Sequence, residues 1–256
     1  MKFFILTFLH FLAFQFTTFA QDTISRPPDS SKTAKSFHVS SKLIAYGAPA
    51  LLLSYGFMSL ENKPVQNLDI GIRHELVEGK PGFSTHWDDN LRYAPIMAVY
   101  SLNLLGIKGK NNLIDRSAIY LISNIIMSKS VDFLKDKTHK LRPSQGDFRS
   151  FPSGHTALAF GAAEFMRLEY KDKSPWFGYT AYSIAAATGA IRMVKNEHWL
   201  SDVLAGAGVG ILSTKASYTL YPWLKKKIIG SKNLNFRSSP FVDHGVIGYS
   251  IIVPLN

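Results

Sequence analysis

A succession of apolar segments, each bounded by helix-capping or helix-breaking residues, most constrains how this chain can fold. Beyond residue 40 the longest uncharged run is Leu43–Leu60, and Pro49 interrupts it. The runs Tyr93–Ile107 and Trp176–Ile191 are shorter. A helix that crosses a bilayer needs about 20 apolar residues. These lengths therefore fit the buried helices of a bundle as well as they fit short membrane spans.

Helical spacing and capping signals predict an all-α fold, a bundle of about six core helices. The tail Phe236–Asn256 alternates loosely between apolar and polar residues, which indicates a short β segment, either a strand or a hairpin. The predicted helices are Leu43–Leu60, an amphipathic surface helix opened by Pro64 and closed by Gly79, then Asp89–Gly106, Asn112–Lys135, Ser153–Tyr170, a helix from Ser174-Pro175 to Met193, and one from Ser201 that stops before Pro222.

The N-terminus has the layout of a secretory signal peptide: Met1-Lys2, an apolar stretch, and then Thr18-Phe19-Ala20. An uncleaved membrane anchor is the alternative, and both imply export to a periplasmic or other extracytoplasmic location. We therefore divide the chain into a signal peptide (1–20), a flexible lead-in (21–41), a helical domain (42–224) and a C-terminal tail (225–256).

The loops 135–152 and 192–200 would lie in the cytoplasm if all six apolar helices crossed a membrane after export. The basic helix ends would then face outward, against the positive-inside tendency. These two conflicts favour a bundle that is soluble or attached to a membrane surface, although integral membrane association stays open.

The formal net charge of +11 favours an anionic partner, such as phosphate groups or anionic lipid. We do not expect nucleic-acid binding, because the positive charge is spread along the chain and no base-stacking module is present. The chain has no cysteine, which excludes a disulfide framework and thiolate metal sites.

The stretch FPSGHTALAF, residues 151–160, combines a helix start with a titratable side chain. Ser153 is a good N-cap for the helix that follows, and Gly154 would let a ligand approach the backbone. Free N–H groups at such a start attract anions, and His155 adds an acid or base that works near neutral pH. A capped helix with a chance histidine explains the stretch equally well when it is taken alone.

Two further stretches carry charged side chains at regular intervals. In KDKTHKLRPS, residues 135–144, Lys135 closes a helix, and Pro143 favours an extended Arg142, whose planar fork can bind two phosphate oxygens. A solvated basic loop is the ordinary alternative. In IRMVKNEHWLSDVLAG, residues 191–206, Arg192 ends a helix and His198 precedes Asp202 by four residues. That spacing lets the carboxylate orient the imidazole within one helical turn, although an ordinary loop histidine is equally consistent.

Taken together and in this order, Lys-x6-Arg-Pro, Pro-Ser-Gly-His and Arg-x5-His-x3-Asp resemble the phosphatidic acid phosphatase type 2 and vanadium haloperoxidase superfamily, in its bacterial phosphatase branch. The motifs extend from Lys135 to Gly206, and the predicted helices around them fit that family's helical core. One departure is Ile191, where the family usually has Ser or Ala. The region from Lys225 onward lies outside the resemblance.

The resemblance implies a role for each motif residue. His198 would be the nucleophile that forms a phosphohistidine, Asp202 would orient it, and His155 would protonate the leaving oxygen and then help to activate water. The phosphoryl oxygens would be bound by Lys135, Arg142, Ser153, Gly154 and Arg192. No metal and no cofactor is expected. We interpret the segment His86-Trp87-Asp88-Asp89, which could suggest a metal site, as a helix start that Asp88 or Asp89 caps.

The resemblance implies an exported, metal-independent phosphatase acting on a phosphomonoester or a pyrophosphate, with a lipid phosphate as the first candidate and a helical phosphatase domain over residues 42–224. A vanadate-dependent haloperoxidase is one alternative, because vanadate can occupy the same anion cradle. A catalytically silent, membrane-associated anion-binding protein is another. The presence of His155, His198 and Asp202 argues against the silent protein, which would need neither an acid nor an oriented nucleophile.

Overall fold

The structure is a computed structural model of the 256-residue chain, and it describes residues 41–78, 83–229, 237–243 and 246–252. The predicted signal peptide (1–20), its alternative as an anchor, and all but the last residue of the lead-in (21–41) lie outside the described residues.

The described part of the chain is an all-α bundle with one small β-hairpin, as the sequence predicts. Asn62, Asn112 and Ser153 each accept a hydrogen bond from a backbone N–H in the first turn of the helix that follows, so local capping sets these helix starts. The helices are α1 (Ser41–Met58), α2 (Lys63–Val77), α3 (Trp87–Leu91), α4 (Ala94–Leu104), α5 (Leu113–Thr138), α6 (Gly154–Tyr170), α7 (Trp176–Val194) and α8 (Leu200–Ile229).

The predicted helix Asp89–Gly106 is wrong, because the chain forms two helices there, α3 and α4. Pro95 is the cause: it has no N–H to donate to the carbonyl of Leu91, and its ring would collide with that carbonyl in a continuous helix. Helix α3 accordingly ends at Leu91, and Pro95 lies in the first turn of α4, where proline is tolerated.

The prediction that the last helix stops before Pro222 is also wrong, because α8 continues through Pro222 to Ile229. Contacts with the start of α5 stabilise the additional turns. The Tyr221 hydroxyl donates to Asp115, and the Lys225 ammonium lies 2.8 Å from each oxygen of the same carboxylate. Tertiary contacts therefore outweigh the local cost of the proline.

The predicted β segment of the tail is an antiparallel hairpin of β1 (Arg237–Asp243) and β2 (Val246–Ile252). Its register pairs Arg237 with Ile252 at the open end and Asp243 with Val246 next to the turn.

Helix α6 occupies the centre of the bundle and packs against α8, α7, α4 and α5. Its contact with α8 requires two glycines. A Cβ at Gly206 would lie 2.5 Å from the carbonyl oxygen of Ser153, and a Cβ at Gly210 would lie even closer to that of Ala157. Because no side chain fits at either position, α8 runs directly against α6, and the starts of the two helices lie side by side.

Buried side chains from α6 and three neighbouring helices form the main core. Ile96 and Val99 come from α4, Ile119 from α5, and Ala181 and Ala185 from α7; they meet a row of α6 side chains, Ala159, Ala162, Ala163, Phe165, Met166 and Tyr170. The small alanine side chains let the helices pack close together.

Within the described residues, no helix combines the length and the apolar composition that crossing a membrane requires.

Candidate active site

The three sequence motifs meet at one end of the bundle. Lys135 lies in the last turn of α5, and Arg142 lies in the loop that leads to the start of α6. Arg192 lies in the last turn of α7, and the first turn of α8 lies against the first turn of α6. The Ser153 N–H donates to the carbonyl oxygen of Asp202 at 3.0 Å, which joins the second motif to the third.

His198 and Asp202 form the buried centre of this end. The imidazole Nδ1 lies 3.7 Å from an Asp202 carboxylate oxygen, and the His198 and Asp202 side chains are 2% and 0% exposed. Burial lowers the pKa of His198 to about 4, although Asp202 partly opposes this effect. His198 is therefore neutral at neutral pH, and its ring has a free lone pair.

Asp202 is held by groups that the sequence analysis did not single out. Its carboxylate accepts from the Ser150 hydroxyl at 2.5 Å and from the Trp199 N–H at 3.0 Å, and the Lys140 ammonium lies 3.0 Å from its other oxygen. Burial opposes ionisation of this carboxyl, but His198, Lys140 and Ser150 together hold the pKa of Asp202 below its usual value. The carboxylate facing His198 is therefore charged at neutral pH.

Arg142 and Arg192 converge on one carboxylate, that of Glu197, directly before His198. A single Glu197 oxygen lies 2.5 Å from Arg142 Nη1 and 3.5 Å from Arg192 Nη2. Each arginine also has an acidic partner of its own: Asp147 lies 2.8 Å from Arg142 Nε, and Asp88 lies 2.7 Å from Arg192 Nη1. The two guanidinium groups are thus positioned around a point that holds negative charge.

Lys135 reaches the same end of the bundle from α5, where its ammonium donates to the carbonyl oxygen of Arg149. Burial, reinforced by the nearby charge of Arg142, lowers the pKa of Lys135 to about 8. The ammonium is therefore charged at neutral pH and loses its charge in mildly alkaline solution.

The start of α6 has the predicted cap. The Ser153 hydroxyl accepts from the Thr156 N–H at 3.4 Å and from the Thr156 hydroxyl at 2.9 Å. A Cβ at Gly154 would make only ordinary contact with Val131, at 3.7 Å, so packing among the described residues does not require glycine there. The free N–H groups of this turn add positive potential beside the arginines.

The interpretation of Asp88 or Asp89 as a helix cap is wrong, because His86 is the N-cap residue of α3 and makes no capping hydrogen bond with its side chain. Asp88 is fully buried and pairs with Arg192 and with Lys195, whose ammonium lies 3.0 Å away. Asp89 lies 2.8 Å from His155 Nε2. Both acids therefore contact motif residues from a helix that is distant in sequence.

Three ligand atoms of Asp88, Asp89 and His155 lie within 4.8 Å of one another and could hold a metal ion. The carboxylate of Asp88 is already neutralised by Arg192 and Lys195. A cation at this cluster would meet two positive charges at close range, which opposes its binding.

The sequence analysis missed Asp88, Asp89, Lys140, Ser150 and Glu197. Lys140 stands inside the quoted KDKTHKLRPS stretch, and Glu197 directly precedes His198, so proximity to the motifs was an available signal for both. Asp88 and Asp89 offered a weaker signal, because two adjacent acids stand where a helix cap needs only one. Their contacts with Arg192 and His155 span 104 and 66 residues of chain, which no local pattern encodes.

Comparison with known proteins agrees with the motif analysis. Over 153 residues the chain is 37% identical to the lipid A 1-phosphatase of Porphyromonas gingivalis, a match that covers 59% of this chain and 34% of the relative. The chain thus spans about a third of the length of this curated relative.

Two solved structures resemble parts of the fold. The crystal structure of Aquifex aeolicus LpxE has a TM-score of 0.47 at 18% identity, covering 59% of this chain and 95% of that one. The transmembrane PAP2-type phosphatidylglycerolphosphate phosphatase of Bacillus subtilis has a TM-score of 0.44 at 19% identity, covering 71% and 97%.

The family model of the PAP2 superfamily matches residues 117–226. This region contains all three motifs, from Lys135 to Asp202, together with α6, α7 and most of α5 and α8. This region of the chain is therefore similar to the PAP2 superfamily.

Proposed function

We propose that this protein is a phosphatase that hydrolyses a phosphomonoester or a pyrophosphate by transferring the phosphoryl group to His198. The observation that carries the proposal is the position of a buried, neutral imidazole next to a carboxylate, in a site that several cationic side chains surround.

His198 is suited to be the nucleophile. A neutral imidazole can attack phosphorus, whereas an imidazolium has no lone pair to offer. Nδ1 faces the Asp202 carboxylate, so Nε2 is the nitrogen left for the substrate. As the N–P bond forms, the imidazole gains positive charge, which the Asp202 carboxylate stabilises in this buried environment.

The cationic side chains match what phosphoryl transfer demands. Negative charge spreads over the equatorial oxygens in the transition state, so catalysis depends on positioning and on nearby positive charge. Arg142, Arg192 and Lys135 supply three cations, and the N–H groups at the start of α6 supply a partial fourth charge. Ser153 and Gly154 complete the proposed oxygen-binding set.

A lipid phosphate is the substrate class that we favour. The curated relative with 37% identity is named a lipid A 1-phosphatase. Large apolar side chains are also exposed next to residues of the site in sequence: Trp87 beside Asp88, and Phe148 beside Asp147. Such side chains are suited to contact the apolar part of a lipid or a membrane surface.

We propose that hydrolysis needs no metal ion, because Arg142, Arg192 and Lys135 can supply the positive charge that phosphoryl transfer requires. The test is an assay in excess chelator, in which the rate should match that of the untreated enzyme. A rate that disappears in EDTA and returns with a divalent ion would contradict this part of the proposal.

The decisive experiment is a search for the phosphoenzyme. The parent protein, a His198→Gln variant and a His155→Gln variant receive a labelled aryl phosphate, followed by rapid quenching without acid and peptide mapping. Label should be absent from His198→Gln and should accumulate on His198 in His155→Gln, because an aryl leaving group needs no acid while the second step has lost its base. Label on His155, or on any residue of His198→Gln, would refute the assignment.

The substrate class is tested separately, by fractionating cells and assaying the fractions on a lipid phosphate and on a soluble phosphoester. A strong preference for the soluble ester would contradict the lipid assignment.

We also propose export with cleavage after Ala20, which the intact mass of the exported protein tests. A mass that includes residues 1–20 would show that the segment is retained.

A further inference from the structure

We propose that Asp89 is a positioning residue for His155: its carboxylate fixes the Nε2–H form of the imidazole and directs Nδ1 towards the leaving oxygen. This inference rests on the proposed function, in which His155 is the acid and base of the reaction. It gives the site two carboxylate–histidine pairs, Asp202 with His198 and Asp89 with His155.

The geometry supports a directed contact. Asp89 Oδ1 lies 2.8 Å from His155 Nε2, a normal hydrogen-bond distance, while the His155 side chain is 23% exposed. Because a carboxylate can only accept, the proton of a neutral His155 has to lie on Nε2. The lone pair is then on Nδ1, the nitrogen that the contact leaves free.

The neighbouring residue holds Asp89 in place. Asp88 is fully buried and is paired with Arg192 and Lys195, so it anchors the short helix α3 to the end of α7. Asp89 follows directly in sequence and lies 42% exposed at the edge of the site. The same short helix therefore contacts a phosphate-binding arginine through one acid and the proton-transferring histidine through the next.

The proposed reaction uses both states of His155. In the first step the N–P bond to His198 forms, the P–O bond to the leaving group breaks, and the Nδ1 proton of a cationic His155 moves to the leaving oxygen. In the second step the neutral Nδ1 takes a proton from water as the water oxygen attacks phosphorus and the N–P bond breaks. His155 ends the cycle protonated, and Asp89 accepts from Nε2–H throughout.

The charges around His155 oppose one another. Burial lowers the pKa of His155, Asp89 on α3 raises it, and the guanidinium groups of Arg192 on α7 and Arg92 after α3 lower it further. Asp89 also has His86 Nδ1 at 3.6 Å from its other oxygen, and Lys195 is close enough to lower its pKa. Asp89 is thus the group that favours a cationic His155 among surroundings that disfavour it.

The test compares the parent with Asp89→Asn on two soluble substrates, an aryl phosphate with a good leaving group and a simple alkyl phosphate with a poor one. A general acid contributes about 100- to 10,000-fold. We expect Asp89→Asn to lower kcat by about 10- to 100-fold on the alkyl ester and by less than about threefold on the aryl ester. Equal losses on both esters, or no loss on either, would overturn the proposal.

The pH profile gives a second readout. Without the Asp89 charge the pKa of His155 falls, so kcat on the alkyl ester should decline with rising pH from a lower pH than in the parent. Glu78→Gln is the matched control, because Glu78, directly after α2, forms a carboxylate–histidine pair with His74 at 2.7 Å and has no contact with a motif residue among the described residues. It should leave both substrates and the pH profile unchanged.

A measurement that needs no activity separates this proposal from the proposed function. Nitrogen NMR of the imidazole rings, with the His155 signal assigned by its absence in His155→Gln, reports which ring nitrogen carries the proton. The parent should show the Nε2–H form, and Asp89→Asn should lose that preference. A parent that hydrolyses neither ester refutes the phosphatase, whereas an unchanged His155 signal in Asp89→Asn refutes the role of Asp89.

Discussion

Two of the buried charged clusters in the described part of the bundle differ in how completely their atoms are partnered. In the first, the Glu164 carboxylate on α6 accepts from Arg167 at 2.6 and 2.7 Å, from Tyr182 at 2.6 Å and from Lys215 at 2.7 Å. Both carboxylate oxygens are therefore bonded twice. This cluster links α6 to α7 and α8 within the body of the bundle.

The second cluster is the candidate site, and it contains polar atoms that remain free. Three of its buried atoms have no hydrogen bond: Arg192 Nε, His198 Nδ1 and Asp202 Oδ1. In the described part of the chain, the Tyr55 hydroxyl is the one other buried side-chain atom without such a partner. The Lys140 ammonium lies 3.0 Å from Asp202 Oδ1, and the other Asp202 oxygen lies 3.7 Å from His198 Nδ1. These contacts compensate only part of the free-energy cost of burying the two atoms without a hydrogen bond.

This is the difference that we expect between a structural cluster and a reactive one. Buried polar groups are almost always satisfied, and exceptions concentrate where a protein keeps groups ready for a partner from outside. Glu164 has nothing left to offer a ligand. The site keeps a neutral imidazole and an incompletely bonded guanidinium, and the third motif supplies all three free atoms.

The largest expected effect comes from His198→Gln, which keeps a polar side chain of similar length. If the site is reactive, kcat should fall by about 10⁴-fold or more, as for other essential nucleophiles. The free energy of unfolding should change by less than about 1 kcal/mol, because Nδ1 has no hydrogen bond to lose. Steady-state kinetics and denaturant unfolding measure the two quantities, and a large loss of stability would place His198 among the structural groups.

The opposite outcome is expected for Glu164→Gln, the matched isosteric change in the structural cluster. Removing the buried carboxylate of an ionic network costs about 3–5 kcal/mol, because Lys215 remains buried and Arg167 remains partly buried with less compensation. We expect that loss in denaturant unfolding, with kcat within about threefold of the parent at temperatures where the variant is folded. A folded Glu164→Gln variant with abolished activity would break the comparison.

The sequence alone predicts the candidate site better than it predicts the Glu164 cluster. Caps and apolar spacing locate the long helices, and three local motifs bring His198, His155 and the cations together. The exceptions have identifiable causes: Pro95 divides a predicted helix, and contacts with Asp115 carry α8 through Pro222. The pairs of Glu164 with Tyr182 and Lys215 could not be assigned, because these partners come from other helices. The same holds for Asp89 and His155. The helix crossings decide which of these side chains meet.

A smaller effect should follow from the charge of Lys135. Its pKa is lowered to about 8, so its ammonium is lost as the pH rises above that value. Inorganic phosphate is already a dianion in this range, so any weakening of its binding comes from the protein. The inhibition constant of phosphate should rise severalfold between pH 8 and 10 in the parent, and the rise should be absent in Lys135→Arg, which stays charged.

Lys137→Arg is the control for that experiment, since Lys137 lies in the same last turn of α5 and is exposed. It should show the rise of the parent. If Lys135→Arg shows the same rise, another group controls phosphate binding above pH 8, and Lys135 does not contact the phosphoryl group.

The smallest expected effect concerns Glu197, the carboxylate that Arg142 and Arg192 share. Its oxygen, 2.5 Å from one guanidinium and 3.5 Å from the other, competes with a bound phosphate for the same two cations. Because the Glu197 side chain is about a third exposed, at 34%, solvent screening limits this competition to about 1 kcal/mol, or roughly fivefold in affinity. Glu197→Gln should therefore lower the inhibition constant of inorganic phosphate by about fivefold. Asp147→Asn should change it less, because this carboxylate contacts Arg142 but not Arg192. Weaker phosphate binding in Glu197→Gln would mean instead that Glu197 orients the two arginines for the ligand. The site would then contain one more internally partnered group than our comparison of the two clusters assumes.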